Sequence, residues 1–340
     1  MFHIFKEDVK TLPFLLAACL SLLLTPTARA QHAFLWDKTN GMQYLGSLGG
    51  NSYATGINDS GQISGYSYLA DNVTYHPFIW TSTTGMVDLG TPAGTISAFA
   101  GGINSSGHIA GSAEYANGNR VAFFWSSSTG FVTIGVPSPY NYAYAINDRD
   151  EMTGQYLFGT TGDGFLWSSR RGLQDIGTIP GGTYTSGAAI NNRHHIAGSA
   201  DNSSGDRVGF LWDKTDGARE VASSSLGAFC TGLNDRDEIV GDSFAPRATY
   251  AAFYVSPEGD MTTLKSLAGF STTAHAINQR GSIAGGSIPL TSGLQHAVIW
   301  KKAQSLPQDL GTFPGGITSV ANALNNLGQV VGSSDGTVTP

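Results

Sequence analysis

The chain has 340 residues, 41% of them hydrophobic, with 45 glycines and a net charge of −7 from 18 basic and 25 acidic side chains. A sparse, mildly acidic surface of this kind argues against nucleic acid or an anionic membrane as the main partner. Two cysteines are too few for a disulfide framework or a cysteine-based zinc motif.

At the N-terminus, Lys6 and Lys10 precede an apolar run from Leu12 to Leu24, and Ala28-x-Ala30 fits a small-residue cleavage site before Gln31. The run is short for a membrane span. Residues 1–30 therefore read as a secretory signal ahead of one domain over 31–340, with the product periplasmic, at the cell surface or extracellular. A competing signal is Leu16-Ala17-Ala18-Cys19, which looks like a bacterial lipoprotein box and would leave Cys19 lipidated. Against it, Ser21-Leu22-Leu23-Leu24 continues the apolar run where a tether should be polar. Cleavage after Ala30 removes three basic and two acidic residues, leaving a charge of −8 and Cys230 as the one thiol. Cys230 reads as a small core residue, and no transmembrane segment is expected in the mature chain.

From Gln31 onward two phrases alternate. The first is a short aromatic strand, Ala33-Phe34-Leu35-Trp36, which returns with Trp80, Trp125, Trp167, Trp212, Tyr254 and Trp300 in the last place. A Gly turn follows six copies and an aliphatic-Gly pair follows five. The second phrase is Ile/Leu-Asn-x-x-(Gly)-x-Ile/Val/Met-x-Gly, with its Asn at Asn58, Asn104, Asn147, Asn191, Asn234, Asn278 and Asn325. The spacings are 46, 43, 44, 43, 44 and 47 residues, the range of a repeat architecture whose units cannot bury their apolar faces alone. Each unit holds four strand candidates separated by turn residues, and no segment sustains a helical period.

Seven four-stranded units predict an all-β fold, a seven-bladed β-propeller of ~44-residue repeats. The phase agrees: the mature chain opens on the aromatic and Leu-Gly strands and closes on the Ile-Asn and Gly-Ser strands. Joined, the two ends make one shared blade that closes the ring. An open solenoid is the alternative, but it calls for capping repeats of atypical sequence.

The Asn phrase reads as a tight reversal. An Asn side chain can bond its own backbone two residues on, and the residue three later is Gly61, Gly107, Gly281 or Gly328 in four copies. The other three copies carry Asp150, His194 and Asp237, types enriched in the left-handed region. In the aromatic strand, Phe34 and Trp36 share one face. The Trp positions read as packing between blades rather than as platforms for sugar rings.

His32-Ala33-Phe34-Leu35-Trp36 with the Asn phrases resembles the HAF repeat of bacterial extracellular proteins, over nearly all of 31–340. The triplet is intact only at His32-Ala33-Phe34, while His76 and His296 keep the His. The resemblance implies secretion or a surface location and brings no enzymatic activity with it.

Reactive motifs are sparse. Gly332-Ser333-Ser334-Asp335-Gly336 matches the nucleophile elbow in letters but has no helix after it. The clearest departure from symmetry is Arg149, Arg193, Arg236 and Arg280 at one turn position in four successive repeats, beside Asp150, His194 and Asp237. On a closed ring these turns share one face near the axis, and they are the candidate ligand-binding residues, against a reading as solvated turns with charge pairs. His32, His76 and His296 read as structural rather than as metal ligands. Catalytic residues, cofactors and metal sites are expected to be absent. The expectation is a monomeric, secreted binding module for a glycan or protein ligand, with no nucleic acid. The alternatives are a polysaccharide-acting enzyme on the same scaffold and a purely structural envelope protein. No long insertion breaks the repeat: motif Gly to the next aromatic position spans 13 to 15 residues, and that position to the next Asn spans 22 to 25.

Overall fold

The computed structural model describes residues 29–135, 138–158, 161–246, 249–267, 269–289 and 293–338. The segment 1–30 expected to be a secretory signal, with Cys19, therefore lies outside the described residues, apart from Arg29 and Ala30. Among the described residues there are 28 strands and no helix. They form seven antiparallel four-stranded units, a β-propeller.

Blade 1 comprises Gly49–Ile57, Ile63–Leu69, Tyr75–Thr81 and Gly85–Asp88, hydrogen-bonded in chain order. Blades 2 to 6 repeat this plan over 95–133, 140–175, 185–222, 228–263 and 269–309. Blade 7 combines Ser319–Leu324 and Val330–Asp335 with Gln31–Asp37 and Gly41–Tyr44. Its register runs from Gln31 opposite Asp335 to Trp36 opposite Val330, so the chain ends are stitched together. A parallel bridge from Tyr140 to Arg120 joins blades 2 and 3, and one from Gly162 to Tyr184 links blades 3 and 4.

The first strand of each blade packs against the first strands of its neighbours and lines the axis. All seven first strands carry a bulge, at Thr55, Gly101, Tyr144, Ala188, Thr231, His275 and Asn322. A bulge leaves one residue unpaired and re-aims its side chain. Here several of these side chains tie adjacent blades. Thr55 Oγ1 donates to Ala100 O at 2.8 Å, His275 Nδ1 to Ala321 O at 2.8 Å and Asn322 Nδ2 to Ala54 O at 2.9 Å.

The core lies between the sheets. Phe34 and Trp36, for example, meet Ala284, Ala297, Ile299 and Leu310 of blade 6. The most uniformly buried aromatic is the Phe two residues before the Trp position. Phe34, Phe78, Phe123, Phe165 and Phe210 are fully buried and Phe253 nearly so. The Trp position varies more: Trp36, Trp167, Trp212 and Trp300 are buried, while Trp80, Trp125 and Tyr254 are half-buried. The Phe ring explains the glycine that ends the Asn phrase. At Gly241 a Cβ would lie 2.1 Å from Phe229 O and 2.6 Å from Phe253 Cζ, and Gly65 and Gly111 are equally confined. No side chain fits between the bulged first strand and the Phe ring.

Candidate functional site

One end of the ring is built by the Asn turns. In every blade the Asn Oδ1 accepts from the backbone N–H two and four residues on, as from Arg193 and His195 to Asn191, both at 3.0 Å. The fourth turn residue takes positive φ in all seven copies: 57° at Asp150, 68° at His194 and 60° at Asp237, with Gly elsewhere. The Asn Nδ2 then reaches across to the next blade. Asn58 donates to Asn104 O, and so on through Asn147, Asn191, Asn234, Asn278 and Asn325, whose Nδ2 returns to Asn58 O. The cycle is complete, its bonds lie between 2.9 and 3.1 Å, and each Asn is buried.

The following residue forms a second series of bonds from blade to blade, left open at one link. The N–H of Asp148 donates to Asn192 Oδ1 at 2.9 Å, that of Asn192 to Asp235 Oδ1 at 2.7 Å, and that of Asn326 to Asp59 Oδ1 at 2.8 Å. The series ends at Ser105, whose side chain offers the preceding blade neither amide nor carboxylate. These turns surround the mouth of the axial channel, a cavity of about 270 Å³ with Ile57, Ile103 and their counterparts beneath.

The candidate residues named from sequence sit on this rim. Arg149, Arg193, Arg236 and Arg280 are exposed. Three of them reach the next turn. Arg149 Nε donates to Asn192 O at 2.9 Å, Arg193 pairs with Asp237 at 2.7 Å, and Arg236 contacts Gln279 O and Glu238. At Arg280 it is the carbonyl that accepts, from Lys302 Nζ at 2.7 Å. Asp150 takes His108 Nδ1 and Asn104 Nδ2, Asp237 takes His195 Nδ1 and Asn191 Nδ2, and His194 pairs with Glu151. The polar groups of this arc thus clasp adjacent blades. His76 and His296 do the same within their blades, against Asp88 and Asp309.

The opposite end differs in kind. There the first strands begin, the second strands end and the third strands begin. Five residues before the Asn, the blades carry Tyr53, Phe99, Tyr142, Ser186, Phe229, Thr273 and Val320. Three before the buried Phe they carry Tyr75, Arg120, Gly162, Arg207 and Tyr250, with Gln295 and Gln31 in the last two. The Asn end repeats while this end diverges. Comparing the copies with one another would have located it from sequence, whereas the search for charged departures led to the other rim.

Aromatic rings meet here across blades. Tyr53 stacks on Tyr66 at 5.0 Å between centroids, Tyr66 and Tyr68 both meet Tyr75, and Tyr66 meets Phe99 of blade 2. Tyr75 Oη donates to Glu114 at 3.2 Å, Glu114 pairs with Arg120 at 2.8 Å, and the Arg120 guanidinium lies 5.5 Å from the Tyr142 ring centre. Tyr142 stacks on Tyr144, and further round Arg207 lies over Tyr184 at 4.9 Å. Burial pushes the Tyr75 hydroxyl up to about 12, with Arg120 opposing and Glu114 adding, and burial likewise raises Tyr142. These phenols stay protonated near neutrality, so each both donates and accepts. Exposed apolar tips lie at the same end, among them Val73, Ile96 and Leu226.

Below the cluster of Phe229, Phe244 and Tyr250, Asp242 is buried and accepts from Ala274 N at 2.8 Å. Burial raises its carboxyl well above the usual range. The folded state then holds a proton that the unfolded chain releases, so stability falls as pH climbs through the ordinary carboxylate range toward the raised value. Blade 2 makes the same bond with Ser112, which accepts from Ala143 N at 3.0 Å. Asp242→Ser is therefore expected to raise the melting temperature at pH 7 and to bring no gain near pH 3. Equal effects at both values would show that the carboxyl is not held protonated.

No family model matches this chain, and no curated protein does. Solved structures share the fold at low identity. TolB from Agrobacterium tumefaciens superposes with a TM-score of 0.53 at 11% identity, over 70% of this chain and 89% of that one. TolB from Acinetobacter baumannii gives 0.50 at 11%, over 82% of this chain and 64% of that one. A prolyl endopeptidase gives 0.53 at 11%, over 76% of this chain and 42% of that one. Likeness at this level speaks for the propeller alone.

Proposed function

We propose that the protein is a secreted binding module whose ligand face is the end opposite the Asn turns. The observation that carries this is the contrast between the two ends. Every blade repeats the Asn, the preceding Ile or Leu and the buried Phe or Val, yet at the far end equivalent positions are occupied by Tyr, Arg, Phe, Ser or Gln. A scaffold needs repetition, and a specific surface needs differences. The residue types agree, since Tyr and Arg are enriched where proteins bind partners. The N-terminal segment supports export, and no helix among the described residues is long and apolar enough to cross a membrane.

The test is ligand capture by residues 31–340, with glycans and cell-envelope proteins both offered, using variants of each rim. Arg193→Ala with Arg236→Ala is expected to retain binding and to lose about 1 kcal/mol of stability or less, because both pairs involve exposed guanidinium groups. Loss of binding at unchanged melting temperature would move the ligand site to the arginine arc.

A further inference from the structure

We infer that the ligand is a neutral polysaccharide chain, laid along an arc of tyrosines from blade 1 to blade 4; this rests on the binding-module reading and names its ligand class. The arc starts at Tyr68, passes Tyr75 and Tyr142, and reaches Tyr184. Its links are Tyr68 to Tyr75 at 5.4 Å between centroids, Tyr75 through Glu114 to Arg120, Arg120 over Tyr142, then Tyr142 on Tyr144. Tyr184 Oη donates to Gln155 Oε1 at 2.8 Å, which ties blade 4 back to blade 3. Tyr68, Tyr75 and Tyr184 are half-buried, so they are anchored yet still reach solvent, whereas Tyr142 is buried and backs the Arg120 guanidinium.

Three properties select a sugar chain. Aromatic faces take the apolar C–H faces of pyranose rings, and an amphipathic Tyr offers that face with a hydroxyl beside it at little entropic cost. Sugar hydroxyls are donors and acceptors at once, and the arc alternates both: phenols, the Glu114–Arg120 pair, and Arg207 opposite Asp201 in the strand register. Charge excludes the other stacking polymer. Single-stranded nucleic acid also lies on aromatic rings but needs a positive groove. Here Arg120 pairs with Glu114, Arg207 lies opposite Asp201 in the strand register, and Asp71 sits at the blade 1 end, on a chain of net charge −7. A phosphate backbone finds no excess of cations. The arc shape fits a polymer better than a monosaccharide, because its rings lie on blades 1, 3 and 4 with the Glu114–Arg120 pair of blade 2 between them.

The probes are cellohexaose, maltohexaose and chitohexaose as neutral chains, with oligogalacturonate and oligo(dT) as polyanions, read by calorimetry on residues 31–340. At least one neutral chain is expected to bind, with an affinity that changes little between low and high salt. Tyr68→Ala with Tyr184→Ala is expected to weaken it about tenfold or more, and the corresponding Phe pair to stay within about threefold. Arg207→Gln, which leaves every ring in place, is the second variant should the Ala pair fail to fold, and it too is expected to weaken binding. Binding of a neutral chain that neither the Ala pair nor Arg207→Gln affects would overturn the arc. Binding of the polyanions alone, or of no glycan while an envelope protein is captured, would overturn the ligand class and leave the binding module standing. Capture of nothing would remove both.

Discussion

Asn191→Ala is expected to cost about 3–5 kcal/mol, far more than one side-chain amide ordinarily contributes. The Oδ1 satisfies the N–H groups of Arg193 and His195, and the Nδ2 satisfies Asn234 O and Asp237 Oδ1. Asn191 is only 3% exposed, so water does not readily replace any of them. Removing the side chain strands two part-buried donors on its own blade and a buried acceptor on the next, and each orphan costs about 1–3 kcal/mol. Asn191→Asp separates the two roles. It keeps the acceptor for its own turn but turns a second oxygen toward Asn234 O and the Asp237 carboxylate. It is expected to be as damaging as Ala at pH 7 and to recover in part under acid, when a protonated carboxyl can donate. Urea midpoints at pH 7 and pH 4 check this. An Asp variant of wild-type stability at pH 7 would show that the inter-blade cycle contributes nothing.

The second large effect is expected at Gly241→Ala, about 3 kcal/mol or more, as in overpacked cores. The new methyl would sit 2.1 Å from Phe229 O and 2.6 Å from the Phe253 ring. Relief requires the first strand to lose its register or the fully buried Phe to leave its place, and neither is cheap in a close-packed sheet. Gly135→Ala is the control, because its Cβ meets nothing within 4 Å and its φ is not in the left-handed region. Thermal melts of the two variants should differ by many degrees. Similar values would mean that the repeat glycine is a matter of strand propensity rather than of space.

These two residues mark how far the sequence could be read. The turn half of the Asn was legible because its consequences are local: an acceptor reaching two residues on, then Gly, Asp or His in the left-handed region. The donor half was not, because its target lies a full repeat away and no local rule points there. Gly241 was visible as a repeated letter in a strand, but its cause is a Phe ring on the next strand together with a bulge in the previous one. The shared blade was legible from the phase of the two chain ends. The arginine arc was found as a break in symmetry, and the structure places its side chains largely against neighbouring turns. The tyrosine arc was missed because aromatic residues are expected in any β core. Only alignment of the seven copies with one another separates Tyr75 and Tyr142 from the uniform Phe positions.

The stitching of Gln31–Asp37 to Val330–Asp335 bears on the order of events during synthesis. The first strands to be made wait for the last strands to be made, so no amount of local order in the early blades completes the ring. Contacts spanning nearly the whole polypeptide carry the largest loop-closure cost and form late. Until Asp335 emerges, blade 7 has no partner strands, and the polypeptide remains a string of six blades with open ends. Closure of the ring is thus timed by its last two strands, Ser319–Leu324 and Val330–Asp335.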